Sequence, residues 1–227
     1  MKLITYALNR YYLAMQRRYS EILWFGDATR PHIALTFDDG PHPRDTPQVL
    51  EALAKHEVQG TFFLVGKAVE QNPDLVRKLH ESGHQLGIHC YRHVPFPMEK
   101  PSALRAQLDQ TRHLIADICG IAPLTISDLR PPYGAFTPKT LAMLVDWGYR
   151  VVMWNSIPAH WMQPFSWTIT EIYEELIPGS ILVLHDGHGH GLRVAQILET
   201  IIPELRKSGF DFVTIEQMRT LSKGRET

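Results

Sequence analysis

The sequence predicts an α/β domain built on parallel strands, and three observations carry that reading. From residue 32 onward, short apolar runs alternate with segments of helical periodicity, the order that sets parallel strands side by side through crossover helices. The apolar runs are continuous, as in Ile33-Ala34-Leu35-Thr36-Phe37, which suits strands covered on both faces. Helix signals fall between them. Thr46-Pro47, Asn72-Pro73 and Thr137-Pro138 each set a capping residue before a proline at the first helical position, and Gly83, Gly120 and Gly148 read as C-terminal stops.

A first strand over Ile33 to Phe37 ends abruptly in Asp38-Asp39-Gly40-Pro41, two carboxylates on a turn. The helix that follows turns Leu50, Leu53 and Ala54 toward the core. A second strand spans Thr61 to Val65, and the helix from Pro73 presents Leu75, Val76 and Leu79 inward. Further strands are expected over Gln85 to Ile88, in a short stretch before Arg130, and over Tyr149 to Trp154, Ile181 to Leu184 and Phe210 to Ile215. Seven strands result. Periodicity does not separate a barrel from an open doubly wound sheet, but in both folds ligands gather beyond the carboxyl ends of the strands. Asp38 and Asp39 lie at such an end. Successive strand side chains point oppositely, so the pair suits two roles, one toward a metal and one toward a water. Taken alone, the dipeptide also fits a solvated turn.

At 227 residues, with 44% hydrophobic and 21% charged residues, the chain is long enough for one sizeable core. A net charge of -1 and a pI near 6.9, with Lys and Arg scattered, give no global field for a polyanion, so no nucleic acid is expected as a partner. Cys90 and Cys119 make no disulfide framework and leave the redox compartment open. The main domain is expected over residues 32–221, between an N-terminal segment of residues 1–31 and a tail of residues 222–227. The apolar run after Lys2 is broken by Asn9 and Arg10, too short for a signal-peptide core or a membrane span, which points to a cytoplasmic or membrane-peripheral protein. Ile4, Leu8, Tyr11, Met15 and Ile22 keep a helical spacing, with Lys2, Arg10, Arg17 and Arg18 elsewhere on the surface. That pattern is an amphipathic helix, docked on the domain or, over residues 1–25, lying against a membrane.

Four blocks then fall in a fixed order: Thr36-Phe37-Asp38-Asp39-Gly40-Pro41, His89-Cys90-Tyr91-Arg92-His93, Arg130-Pro131-Pro132-Tyr133-Gly134 and Leu182-Val183-Leu184-His185-Asp186. The series resembles the polysaccharide deacetylases of the NodB-homology type, carbohydrate esterase family 4, over about residues 30 to 220. The resemblance implies a distorted or incomplete (β/α)7 barrel with its site at the strands' C-terminal ends, where all four blocks lie. His89 and His93, four apart after the third strand, suit one side of a helical turn, and with Asp39 they make a two-histidine, one-carboxylate metal site with open positions. Zinc is favoured, and cobalt, manganese or iron also fit. Amide hydrolysis needs an activated water, a place for negative charge on the carbonyl oxygen, and a proton for the leaving amine. By resemblance, Asp38 is the general base and His185 the general acid, Arg130 pairs with Asp38, and the backbone N–H of Tyr133 helps to hold the oxyanion.

Two departures from the family pattern stand out. Cys90 replaces the usual Ser or Thr between the ligand histidines, which weakens a hydroxyl hydrogen bond that steadies that loop. Ile157-Pro158-Ala159-His160-Trp161 takes the place of an Asp-x-x-Asp-Trp block, so the carboxylate that partners the acid histidine is missing; His160 and Asp186 are the candidates to replace it. Between Trp154 and Trp167, the aromatic residues Trp154, Trp161 and Phe165 suit either sugar stacking or the core. Gly187-His188-Gly189-His190-Gly191 reads as mobile surface in preference to a second metal site. The implied function is a metal-dependent hydrolase that removes N-acetyl groups from N-acetylglucosamine-containing oligo- or polysaccharide, chitooligosaccharide or peptidoglycan-like. The alternatives are a deacylase or deformylase of another amino sugar or glycolipid precursor, and a metal-containing sugar-binding protein with little turnover.

Overall fold

The computed structural model describes residues 14–223. Its centre is a parallel sheet of seven strands: β1 (His32–Asp38), β2 (Thr61–Val65), β3 (Gln85–Cys90), β4 (Asp128–Leu129), β5 (Arg150–Val151), β6 (Ile181–His185) and β7 (Asp211–Phe212). The order is β5-β4-β3-β2-β1-β6, with β7 paired to the start of β1. From residue 45 on, eight α-helices among the described residues surround it: α1 (Asp45–Lys55), α2 (Gly66–Gln71), α3 (Pro73–Glu81), α4 (Pro101–Cys119), α5 (Pro138–Asp146), α6 (Phe165–Glu175), α7 (Gly191–Lys207) and α8 (Ile215–Lys223). No helix among the described residues is long and apolar enough to cross a membrane.

The continuous apolar runs are buried as expected. Ile33, Leu35, Phe37, Phe62, Leu64 and Leu182 are inaccessible to solvent, each stabilising the fold by about 1.5–3 kcal/mol. Phe37 stacks on Phe62 at 4.6 Å across β1 and β2. Beyond β5 the chain crosses to the other end of the sheet, where Ser156 bridges Leu182 of β6. One bridge in place of a full ladder closes the ring, so the barrel is incomplete.

Strands β5 and β7 are shorter than the sequence predicts, each for a visible reason. Past Val151 the chain is claimed from both sides, by Leu129 and by Leu23, and then bends toward β6. At β7, Thr214 ends the strand because its hydroxyl accepts the Gln217 N–H and so opens α8. The helix signals behave unequally. Thr137 caps α5 by accepting the Thr140 N–H at 3.1 Å. Pro73 begins α3, but the Asn72 amide donates to Ala68 and Pro41 carbonyls and caps nothing. Helix α1 starts at Asp45, ahead of Thr46-Pro47, and Thr46 is a buried hydrogen-bonding residue instead of a cap. In α1 the inward stripe is Val49, Leu50, Ala52 and Leu53, which leaves Ala54 exposed, one position off that face. Gly83, Gly120 and Gly148 all stand in the left-handed conformation that ends a helix.

Of the N-terminal amphipathic segment, Ile4, Leu8, Tyr11, Lys2 and Arg10 lie outside the described residues. Within them, Met15 and Tyr19 pack on the core, Ile22 and Trp24 are buried, and Arg17 and Arg18 face solvent. Leu23 bridges Val152 at the β5 edge, so this part of the segment is docked on the domain.

Candidate active site

His89 reaches the C-terminal rim of the sheet from β3, and Asp39 from just past the end of β1, with β2 between the two strands. His89 is the penultimate residue of β3 and is itself extended and buried, while His93 follows in an irregular bend; the helical turn expected for the pair does not form. The loop brings the rings together anyway. His89 Nδ1–H donates to the Arg130 carbonyl at 2.8 Å, which leaves the Nε2 lone pair free and pointing into the site. Nε2 of His93 lies 3.1 Å from Nε2 of His89 and 3.1 Å from Asp39 Oδ1. Asp39 itself stands at φ 76°, turning its carboxylate off the strand. Burial alone would raise its pKa; the close approach of the His93 ring and the charges of His89, His185 and His93 outweigh that and hold it well below the carboxylate range. These three residues are the metal-ligating cluster of the described residues, with all three ligand atoms within 4.8 Å of one another. A buried Asp39 Oδ1 without a hydrogen-bond donor, facing two imidazole nitrogens, fits a divalent cation.

Next to this cluster, β1 supplies Thr36 and Asp38 on one face, two residues apart. Arg130 is fully buried and serves both, donating to Asp38 Oδ1 at 2.7 Å and Thr36 Oγ1 at 2.8 Å. Its remaining donors reach the Met153 and Val152 carbonyls, and its plane lies 4.2 Å above the Phe63 ring. Removing one partner of such a buried pair is costly because the other charge stays uncompensated. His185 closes β6 in register with Asp38, so the two side chains rise side by side. Tyr133 follows β4 at φ 58°, exposed at the rim, its ring edge-on to His93 with the two ring centroids 4.6 Å apart. Asp38, Asp39, His89, His93, Tyr133 and His185 all line one cleft of about 580 Å³.

Comparisons with known proteins place this geometry. A family model described as polysaccharide deacetylase matches residues 25–152, more than half of the chain. The chain belongs to the polysaccharide deacetylase family. A peptidoglycan-N-acetylglucosamine deacetylase of Bacillus cereus is 33% identical over 88% of this chain and 73% of its own length. A chitooligosaccharide deacetylase of a Bradyrhizobium species is 30% identical over 90% of this chain and 96% of its own. The chain spans only 39% of the PgdA deacetylase of Listeria monocytogenes, at 34% identity. Among solved structures, PdaA of Bacillus subtilis, a family 4 carbohydrate esterase, matches with a TM-score of 0.82 at 27% identity, covering 92% of this chain and 89% of that one.

Within the deacetylase family pattern, the two departures take a definite form here. His185 Nδ1 is buried and has no hydrogen-bond partner. Neither candidate replacement reaches it by a hydrogen bond. Asp186 is fully buried and points the other way, accepting the Thr46 hydroxyl at 2.5 Å. Burial first, with the nearby Asp39 charge, pushes the Asp186 carboxyl up to about 7. His160, inaccessible to solvent, instead lays its ring over His185 at 5.3 Å and 26°, while Trp161 stands edge-on to both. Burial and the His185 charge depress the His160 imidazole to about 3, so it is a neutral neighbour. Cys90 is buried, and the ligand loop is steadied through the backbone, by the Thr111 hydroxyl on the Cys90 carbonyl and the Lys67 N–H on the Tyr91 carbonyl.

Several residues of the site escape sequence reading. Thr36 looks like an interruption in an apolar run, yet it is a partner of Arg130. The glycine–histidine loop, read as mobile surface, is tied down: Gly189 N–H donates to Asp45 Oδ2 at 2.6 Å, and a Cβ on Gly191 would lie 2.3 Å from Asp45 Cα. His188 and His190 line the cleft, and His188 Nε2 lies 3.5 Å from Asp39 Oδ2, but the two histidines form no second metal cluster among the described residues. The signal was His42 to Asp45, polar residues flanking Pro43 next to the Asp-Asp turn, which sequence periodicity passes over. Trp154 is buried and lines the cleft, Phe165 packs on the core, and Trp161 is 40% exposed at the cleft mouth.

Proposed function

We propose that this chain is a metal-dependent hydrolase that removes the acetyl group from N-acetylglucosamine units of an oligo- or polysaccharide. The observation that carries the reading is the register of Asp38 with His185 beside the Asp39–His89–His93 cluster, an acid–base pair and a cation site opening on one cleft. The names of the Bacillus cereus and Bradyrhizobium relatives support this substrate class.

Asp39, His89 and His93 would hold a divalent ion, which would supply Lewis acidity for the amide carbonyl and the water; zinc suits the nitrogen-rich donor set best. Asp38, held in place by Arg130, takes the proton of the attacking water. Beside it on β6, His185 gives a proton to the nitrogen as the C–N bond breaks. The backbone N–H of Tyr133 contributes a donor to the oxygen that gains charge. Trp161 at the mouth offers a face for a sugar ring.

A second reading, a sugar-binding protein with little turnover, is favoured by one observation, the unpartnered Nδ1 of His185. Protein reconstituted with zinc, cobalt or manganese and given chitooligomers, peptidoglycan and small N-acyl sugars decides between them. Metal-dependent acetate release is the expected result; sugar binding with no release under any metal supports the second reading.

A further inference from the structure

Large apolar side chains are exposed unevenly over this molecule. Of ten among the described residues, Met98, Tyr133, Trp161, Met162, Trp167 and Leu192 lie on the loops and first helical turns that follow the strands' C-terminal ends. Met98 is 78% exposed, Met162 79% and Leu192 61%. They belong to different loops and still border one rim. Tyr133 and Trp161 line the cleft mouth, and the Arg193 guanidinium donates to the Gln163 carbonyl, which sets the Met162 loop beside the turn that carries Leu192.

Charge is just as uneven. The same loops and first turns carry Arg44, Lys67, Arg92, Lys100, Lys139 and Arg193, none in an ion pair among the described residues. Of the carboxylates there, Asp38 and Asp39 belong to the cleft and Asp45 and Asp186 are buried, which leaves Glu99 and, in the helix that carries Lys67, Glu70 against the six cations. The chain as a whole has 23 Lys and Arg against 24 Asp and Glu, so the cationic excess is local to this face. On the opposite face the charges pair off, Arg150 with Asp128 and Glu216, and Arg219 with Asp128.

We propose that the catalytic face docks on an anionic lipid surface. Trp and Tyr favour the level of the head groups, and Lys and Arg bury their stems while their charges reach anionic lipid. Sugar stacking would account for Tyr133 and Trp161 but not for Met98, Met162 and Leu192, flexible aliphatic chains that gain nothing against hydroxyl groups. A protein partner fits less well, since lysine is depleted at protein interfaces and three of the six cations are lysines. Because the docking rim surrounds the cleft, this inference rests on the hydrolase reading for its substrate, an acetylated amino sugar anchored in or lying against that surface.

Sedimentation of the full chain with vesicles tests it. Binding is expected to vesicles of phosphatidylcholine mixed with phosphatidylglycerol, to fall with added salt, and to be weak on phosphatidylcholine alone. Combined Met162→Asp and Leu192→Asp should cut it at least tenfold. Leu124→Asp, equally exposed but on the turn before β4, should leave it unchanged. All three positions are at the surface, and thermal melting of each variant confirms the fold. Failure to bind anionic vesicles, or undiminished binding by the Met162/Leu192 variant, overturns the proposal. Hydrolysis of a soluble chitooligomer by the unaltered chain is measured alongside. Vesicle binding without hydrolysis supports the docking and counts against the hydrolase reading, whereas hydrolysis without vesicle binding overturns the docking alone.

Discussion

Asp38 and Asp39 are neighbours with different surroundings, because the chain leaves the extended conformation between them. Asp38 completes β1 and meets Arg130, while Asp39 turns at φ 76° toward His89 and His93. Their conservative replacements should therefore fail in different ways. Asp38→Asn should keep its metal and lose turnover by about 10²–10⁴-fold, whereas Asp39→Asn should lose metal itself, as elemental analysis of the two purified variants would register. His185 presents the other question at this scale. Burial lowers its pKa, only partly offset by Asp38 and Asp39, and no carboxylate accepts from its Nδ1. A histidine with a lowered pKa gives up its proton early, so activity should fall early on the alkaline side. Ile157→Asp restores a carboxylate to that loop and should move the limb up by about one pH unit. An unmoved limb in a folded, metal-loaded Ile157→Asp protein would mean that the stacked His160 already does the work of holding the acid.

Among the elements, the loop between β6 and α7 depends on glycine for close approach, not for freedom. Gly191→Ala would drive its Cβ into the backbone of Asp45 at the start of α1, and a cost of about 1–3 kcal/mol is expected. A calorimetric Tm unchanged from that of the unaltered chain would show that this contact is loose. Helix α6 carries a pH dependence of its own. Glu175 is half-buried under the Ser156 hydroxyl, and burial raises its carboxyl from 4.5 to about 7. The folded state thus holds that proton more tightly than the unfolded chain. Its contribution favours folding below pH 4.5 and is lost as pH rises through about 7. Glu175→Gln should stabilise the protein at pH 8 by on the order of 1 kcal/mol, after allowance for solvent screening, and by little at pH 4. Urea unfolding at the two pH values measures the difference. The elements that were legible in sequence include β1, β2 and β6 as mostly apolar runs, and α5 through its threonine cap. Strand β5 was overdrawn because a tertiary competitor, Leu23, ends it, and β7 because the apolar pattern runs on past the local Thr214–Gln217 cap that stops the strand.

For the molecule as a whole, a parallel α/β arrangement with its chemistry at one rim follows from the order of runs and motifs. Closure does not. It depends on Ser156 meeting Leu182, a contact between distant segments that no periodicity encodes. The site was legible to a similar depth: Asp38, Asp39, His89, His93, Arg130, Tyr133 and His185 surround the expected cleft, while Thr36, Asp45 and Thr46 were hidden, since a lone threonine or aspartate in a helix start or strand has many commoner uses. The sequence motif also could not reveal that His160 would meet His185 face to face. The account stands or falls on hydrolysis that needs both the cation site and the base beside it. Acetate release from N-acetylglucosamine oligomers should be measured on zinc-loaded protein, on protein stripped with chelator, and on Asp38→Asn protein with full zinc occupancy. Release by the first alone, restored to the second by adding zinc back, is the predicted result; release by the stripped or the Asp38→Asn protein at the rate of the first would contradict it.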